Sequence, residues 1–296
     1  MIKIAACQYQ IETLADWKQY TVKIEGLAQQ AKQQQAQLLI LPEYAGVEAA
    51  CQAYATDNEL YAALQPVLPQ YIAFYQQIAR DYQLYIQAGT IIEETAPKQY
   101  INRAYFFGPT GTYGYQDKLQ LIEFEKKQKI IQRGQQQTVF KTSLGMIGIA
   151  VCYDSEFPEI VRGLVKAGAE LILVPSYTVS LAGYNRVFLS CRARAIENQC
   201  FVAVSFVVGP VTLSDTPEHP TGQAAILGPV DVGFPDDGIL AQGKKDEISL
   251  VTADISFQKL TSVRRHGQVR NFEDMTGEYP SPAVCDVDLS HKGRGK

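Results

Sequence analysis

Three polar residues, Glu43, Lys118 and Cys152, each stand close behind a run of residues that predicts a β-strand. Their types suit attack on a carbonyl carbon. A thiolate is the nucleophile, a carboxyl group can take the thiol proton and pass it to a leaving amine, and an ammonium group can neutralise an oxyanion. This set would cleave a carbon–nitrogen bond through a thioester, without a metal ion or an organic cofactor.

The segment around Cys152 predicts a turn from a strand into a helix. The apolar strand ends at Cys152, residues 155–168 have helical spacing, and Asp154 or Ser155 could cap that helix. A helix N-terminus lowers the pKa of a nearby thiol, and the main-chain N–H of Tyr153 could donate to an oxyanion. A cysteine buried in the core is the alternative interpretation of the same position.

The elements that must position these residues alternate along the chain. Helices are predicted over 13–35, 69–82, 155–168 and 181–198. Strands are predicted over 2–7, 38–41, 84–92, 100–107, 112–117, 144–151, 171–174, 201–208, 224–227 and 250–255. This alternation indicates a layered α/β fold, in which catalytic groups collect at the carboxyl ends of strands.

Composition excludes several classes of function. The chain has 296 residues, a net charge of −4 and no basic stripe, which argues against a nucleic-acid partner. No apolar run approaches the roughly 18 residues of a membrane span, and the N-terminus does not predict a signal peptide. The six cysteines are scattered and the three histidines lie far apart. We therefore expect a cytoplasmic protein with reduced thiols and no metal site.

Three motifs carry a family resemblance. They are Leu-Pro-Glu-Tyr at 41–44, Asp-Lys-Leu-Gln-Leu at 117–121 and Cys-Tyr-Asp-Ser-Glu-Phe-Pro-Glu at 152–159, and Arg-Ala-Ile-Glu-Asn at 194–198 adds a fourth element. In order and spacing the sequence resembles the nitrilase superfamily, the carbon–nitrogen hydrolases, over nearly its whole length.

The resemblance implies a four-layer α-β-β-α sandwich over residues 1–275, followed by a tail over 276–296. It implies a catalytic Glu43–Lys118–Cys152 set, no cofactor, and association into a homodimer or larger homo-oligomer. A second glutamate is expected after the lysine loop. Glu125 is the candidate and Glu123 its competitor.

The residues after the cysteine, Tyr153 and Asp154, resemble the amidase and ω-amidase branch more than true nitrile hydrolases. Ser176 and Tyr177 follow another predicted strand and are expected to line the substrate pocket. A cap and turn before the helix at Leu181 would explain them equally well. The sequence thus predicts an enzyme that hydrolyses a small amide.

Other functions stay open at this point. Cys152 could pair with His219 or His266 in a cysteine–histidine hydrolase. The Glu-Lys-Cys set would also serve an N-acyltransferase or an N-carbamoyl amide hydrolase. A binding protein on a retained scaffold is a further alternative.

Overall fold

A computed structural model describes residues 1–211 and 218–275; the predicted tail at 276–296 lies outside the described residues. The described chain forms eight α-helices and fourteen strands. The helices are α1 (Trp17–Gln33), α2 (Asp57–Leu64), α3 (Leu68–Asp81), α4 (Glu123–Gln128), α5 (Pro158–Lys166), α6 (Leu181–Glu197), α7 (Phe257–His266) and α8 (Asn271–Asp274). The strands are β1 (Ile2–Tyr9), β2 (Leu38–Leu41), β3 (Tyr85–Ala88), β4 (Ile91–Ala96), β5 (Gln99–Phe107), β6 (Tyr113–Asp117), β7 (Ile131–Gln132), β8 (Val139–Lys141), β9 (Met146–Ile149), β10 (Leu171–Ser176), β11 (Phe201–Val207), β12 (Ala225–Leu227), β13 (Ile239–Gln242) and β14 (Ser249–Ile255).

The strands form a continuous network that divides at β1. One edge of β1 runs parallel to β2, which runs parallel to β3. On the other edge, β14 pairs antiparallel with Ile2–Gln8, whereas β11 joins only at Gln8 and Tyr9. From β11 the parallel order continues through β10 to β9. This division lets the β2–β3 part and the β9–β11 part diverge into separate layers.

Strand β2 is buried on both faces, as its uninterrupted apolar sequence predicts. Successive side chains of a strand point to opposite faces. Leu39 and Leu41 therefore join the core that contains the buried faces of α1 and α3. Leu38 and Ile40 join the core that contains those of α5 and α6. Helices thus cover both outer faces, in the α-β-β-α arrangement that the motif resemblance implies.

The predicted strand over 84–92 is divided in the structure, because the chain bends between β3 and β4. Gly89 lies in this bend with a positive φ of +68°, and a Cβ there would lie 2.2 Å from the Pro42 carbonyl oxygen. The Thr90 hydroxyl oxygen accepts a hydrogen bond from Tyr44 N at 2.8 Å. The bend therefore packs directly against the loop that carries Glu43, and only glycine permits that approach.

Candidate active site

The centre of the site is Lys118, a buried lysine held between two buried carboxylates. Its Nζ donates to Glu43 Oε1 at 2.8 Å and to Glu125 Oε1 and Oε2 at 2.8 and 2.9 Å. Only 1–2% of these three side chains is exposed. Buried charges are costly unless they are paired, so each group depends on the others for its charged form. The two carboxylates raise the pKa of Lys118, which stays an ammonium.

Two strand ends bring Glu43 and Lys118 together. Glu43 follows β2, and Lys118 follows β6. Strand β6 is antiparallel to β5, and β5 is antiparallel to β3, so β6 runs in the same direction as β3 and its neighbour β2. The carboxyl ends of β2 and β6 therefore lie at one edge.

Asn102 holds both residues and was not singled out from the sequence. This fully buried amide donates from Nδ2 to Glu43 Oε1 at 2.9 Å, and its main-chain oxygen accepts from Lys118 N at 2.9 Å. Burial raises the pKa of Glu43 despite the opposing Lys118 ammonium. A carboxyl group with a raised pKa is suited to exchange protons near neutrality.

Of the two candidates for a second glutamate, Glu125 contacts Lys118 in the buried cluster and Glu123 does not. Glu125 lies in the first turn of α4, where Ile122 N donates to its Oε2 at 2.9 Å and the Tyr44 hydroxyl donates to its Oε1 at 2.7 Å. Glu123 is 72% exposed and its nearest ionic contact is Lys127, 3.9 Å away.

Cys152 lies beside Glu43, and each of these two groups shifts the pKa of the other. The backbone of Cys152 has φ +47°, which is strained for a residue with a side chain, and its Sγ lies 3.6 Å from the main-chain oxygen of Tyr177. The expectation of a lowered thiol pKa is wrong. Burial, followed by the Glu43 carboxylate, raises the pKa well above its ordinary value. A 3₁₀ turn over Cys152–Glu156 precedes α5, so the thiol does not adjoin an α-helix N-terminus.

The sequence suggests that Asp154 or Ser155 caps α5, but neither residue does so in the structure. The residue before α5 is Phe157, without a side-chain cap, and the Ser155 hydroxyl donates to Cys152 O at 2.6 Å. The buried Asp154 carboxylate instead accepts from Leu119 N at 3.0 Å, Gln120 N at 2.7 Å and Val151 N at 3.2 Å. Asp154 therefore joins the turn that carries Cys152 to the loop that carries Lys118.

The fourth sequence element anchors the same turn from the other side. The Arg194 guanidinium on α6 donates to Ser155 O at 2.9 Å and Glu156 O at 3.0 Å. It also forms an ion pair with Glu197. Arg194 is thus a buried structural contact of the turn that carries Cys152.

The remaining expected site residues differ in their placement. The Tyr153 side chain is half-buried and its ring packs edge-on against Phe157 at 4.9 Å. Ser176 is buried inside β10 and donates to Val174 O at 3.3 Å. It therefore does not line the cavity beside the buried cluster. It also does not cap α6, because the N-cap of that helix is Ser180. Tyr177 does line the cavity, and its ring lies 5.7 Å from that of Tyr44.

This cavity has a volume of about 320 Å³, which suits a small molecule. Tyr44 and Tyr177 form part of its wall, and both also contact the buried cluster, through Glu125 and Cys152 respectively. The cavity therefore lies next to Cys152 and the buried cluster.

The two histidines considered as partners of Cys152, His219 and His266, are both exposed, whereas Cys152 is buried against Glu43. No group of potential metal ligands occurs within residues 1–211 and 218–275. Over the same ranges, no helix has the length and apolar character of a membrane span.

The sequence profile of the carbon-nitrogen hydrolase family matches residues 3–265. The chain belongs to this family. A probable hydrolase of Bacillus subtilis is 29% identical over 276 residues, which is 92% of this chain but only 53% of the Bacillus protein. An omega-amidase of Bos taurus is 26% identical over 272 residues, covering 89% of this chain and 91% of the bovine one.

Solved structures of this carbon-nitrogen hydrolase fold superpose on the chain. An amidase from Nesterenkonia sp. AN1 gives a TM-score of 0.71 at 23% identity and covers 90% of this chain and 97% of its own. A Saccharomyces cerevisiae member of the nitrilase superfamily gives a TM-score of 0.72 at 21% identity, covering 89% and 93%. These likenesses confirm the predicted α-β-β-α sandwich.

Proposed function

We propose that this carbon-nitrogen hydrolase cleaves a small linear amide through a thioester on Cys152. The observation that carries the proposal is the buried lysine between two carboxylates, one of which also faces the thiol. The names of the relatives, which include omega-amidases and a deaminated glutathione amidase, point to amides as the substrate class.

The first half of the reaction transfers the acyl group to sulfur. Glu43 takes the thiol proton as Sγ bonds to the amide carbon, and the carbonyl oxygen becomes an oxyanion beside the Lys118 ammonium. The oxyanion collapses, the carbon–nitrogen bond breaks, and Glu43 returns its proton to the departing amine. Because the pKa values of the thiol and of Glu43 are both raised, one proton can pass between them without a thiolate at rest.

The second half hydrolyses the thioester. Glu43 takes a proton from water, the hydroxide oxygen bonds to the acyl carbon, and the carbon–sulfur bond breaks as the thiolate recovers the proton. The products are a carboxylate and ammonia or an amine. Glu125 does not exchange protons in this scheme, because its oxygens accept from Lys118, Tyr44 and Ile122 and so fix the lysine in place.

The decisive experiment combines ammonia release with intact mass after acid quenching. We expect the wild-type chain to release ammonia from an aliphatic amide and to carry an acyl group on Cys152. Cys152→Ala should lose both signals while keeping its fold by circular dichroism. Cys51→Ala is the matched control, since Cys51 is half-buried and lies outside the cluster. Normal turnover by Cys152→Ala would refute the proposal.

Product analysis separates hydrolysis from acyl transfer. With an added amine acceptor, a hydrolase should still yield mainly the carboxylate, whereas an acyltransferase would yield mainly the new amide. Replacing His219 and His266 by glutamine should leave turnover intact, which would also eliminate a cysteine–histidine mechanism.

We further propose a homodimer formed through the outer face of α6. This face exposes Leu181, Leu189 and Ile196 to solvent, with 53%, 59% and 36% of their surface accessible. Burying such a row against a second copy would remove apolar area from water.

A further inference from the structure

The cavity beside the cluster has mainly apolar walls. They include Ile11, Val47, Leu60 and Phe124, and the rings of Tyr44 and Tyr177. Apolar walls select by shape and exclude charges that find no partner. The part of a substrate that extends from the reacting amide must therefore be largely hydrocarbon, except where the cavity offers a charge.

The charges that the cavity offers are both negative. Asp57 and Glu218 line it, and no lysine or arginine does so among the described residues of its wall. Asp57 is half-buried and accepts from Gln128 Nε2 at 2.6 Å. Glu218 accepts a hydrogen bond from the hydroxyl group of Tyr177. The main-chain oxygen of the same tyrosine contacts Cys152. Both carboxylates are thus connected to elements that form the site.

The two carboxylates are close enough to influence one another. Burial raises the pKa of Asp57, and the negative charge of Glu218 raises it further. Two like charges near an apolar cavity repel each other, and a cation between them would relieve that repulsion. A second anion would increase it.

Resting on the proposed function, we infer that the substrate is an amide with an apolar spacer and a terminal ammonium group, and that Asp57 and Glu218 determine this preference. The amide carbonyl faces Cys152, the spacer lies along the apolar walls, and the ammonium group reaches the two carboxylates. Amides that end in a carboxylate are disfavoured, because that charge would face two anions and no described cation of the wall.

A role in stabilising the fold would explain the negative charge of only one of these two residues. Asp57 is the first residue of α2, where a carboxylate is favoured by the helix dipole. Glu218 belongs to no helix and pairs with Val211 through an isolated β-bridge. Its hydrogen bond from a cavity tyrosine places a second negative charge at the same cavity.

Three primary amides of similar length test the inference directly. They are hexanamide, 5-aminopentanamide and the monoamide of glutaric acid, which end in a methyl, an ammonium and a carboxylate group. We expect kcat/KM to fall in the order ammonium, methyl, carboxylate, with about fivefold or more between the first and the last. Raising the salt concentration should reduce the differences in kcat/KM among the three amides. Preference for the carboxylate amide would overturn the inference.

The variants Asp57→Asn and Glu218→Gln test the two residues. In each, the ratio of kcat/KM for the ammonium amide to that for the methyl amide should fall about threefold, and the double variant should fall further. Glu123→Gln is the control, because it removes a nearby exposed charge that does not line the cavity. An unchanged ratio in the double variant, or an equal change in the control, would refute the assignment.

Failure of the inference and failure of the proposed function give different results. If amides are cleaved without preference for the ammonium group, only the substrate class is wrong. If none of the three amides releases ammonia or acylates Cys152, the proposed function itself falls. Should a variant fail to fold, the wild-type comparison of the three amides still decides.

Discussion

Lys118 illustrates how individual residues in this site depend on their neighbours. Its ammonium group contacts Glu43 and Glu125, and all three side chains are almost completely buried. Removing one partner of such a set leaves an uncompensated charge in a medium that solvates it poorly. The residues that are proposed to do the chemistry therefore also hold the site together.

Glu43→Gln separates chemistry from structure at this position. The substitution keeps the shape of the side chain and leaves an oxygen for Lys118, but an amide cannot accept the thiol proton. We expect kcat to fall by a factor of about 10² to 10⁴. Steady-state ammonia release checks this, and Glu123→Gln is the control on an exposed glutamate. Retention of a tenth or more of the activity would contradict the role of Glu43 as base.

The sequence predicted Glu43, Lys118 and Cys152 as site residues because each follows a predicted strand and lies in a motif of the family resemblance. It did not find Asn102, which lies within β5 and looks like any polar residue of a strand. Nor did it predict the raised thiol pKa. That shift depends on how deeply Cys152 is buried and on its distance from Glu43, and neither follows from a motif.

At the scale of elements, the loops and turns that follow strands carry Glu43, Lys118 and Cys152, and contacts between these loops hold the site together. The bend at Gly89 packs against the loop of Glu43, and Asp154 joins the Cys152 turn to the Lys118 loop. The sequence predicted one strand over 84–92 because hydrophobic residues resume directly after Gly89 and Thr90. Helices α2, α4 and α7 were not predicted, because lengths of 8, 6 and 10 residues offer few turns over which a helical repeat can be recognised.

The pKa of Asp154 gives this contact a pH dependence. Burial raises that pKa from 3.8 to about 7. At pH values between these two, the folded chain binds a proton that the unfolded chain has lost. The contribution of Asp154 to the free energy of unfolding therefore falls as the pH rises. This contribution is fully present only below a pH of about 3.8. One such group changes the free energy by up to about 1.4 kcal/mol per pH unit.

Urea denaturation at several pH values between 4 and 7.5 checks this effect. Asp154→Asn should flatten the decrease in stability relative to the wild-type chain. Asp81→Asn, at an exposed position in α3, should not alter the slope. Because other buried carboxylates such as Glu48 also have raised pKa values, the difference between variants is the quantity to compare. Equal slopes in the Asp154 variant and the wild type would contradict the prediction.

The whole molecule is organised as two helical layers around diverging strands. Alternating strands and helices were enough to predict an α/β fold, but not whether the strands form one sheet or two. The division at β1 depends on which residues of that strand pair with β14 and which with β11, and such register is set by tertiary contacts. The four-layer arrangement was predicted only through the motif resemblance.

The two outer helical layers provide a matched test of the proposed dimer. Leu189→Glu, on the outer face of α6, should convert the dimer into a monomer, because a charge would be buried in the interface. Val22→Glu places the same charge on α1, where Val22 is 60% exposed, and should leave the dimer intact. Light scattering after size-exclusion chromatography measures both masses. A monomeric wild-type chain would contradict the proposal.

The shared lysine also has a consequence for chemical labelling. Within the described cluster a single ammonium group contacts two carboxyl groups, so until Glu43 takes up the thiol proton the cluster has no excess positive charge to attract an anion. An alkylating reagent without charge should therefore reach Cys152 more readily than an anionic one of the same size. Iodoacetamide should modify Cys152 faster than iodoacetate, by a larger factor than at the half-buried Cys51 of the same molecule. Peptide mass mapping over time would report both thiols, and equal factors would contradict the prediction.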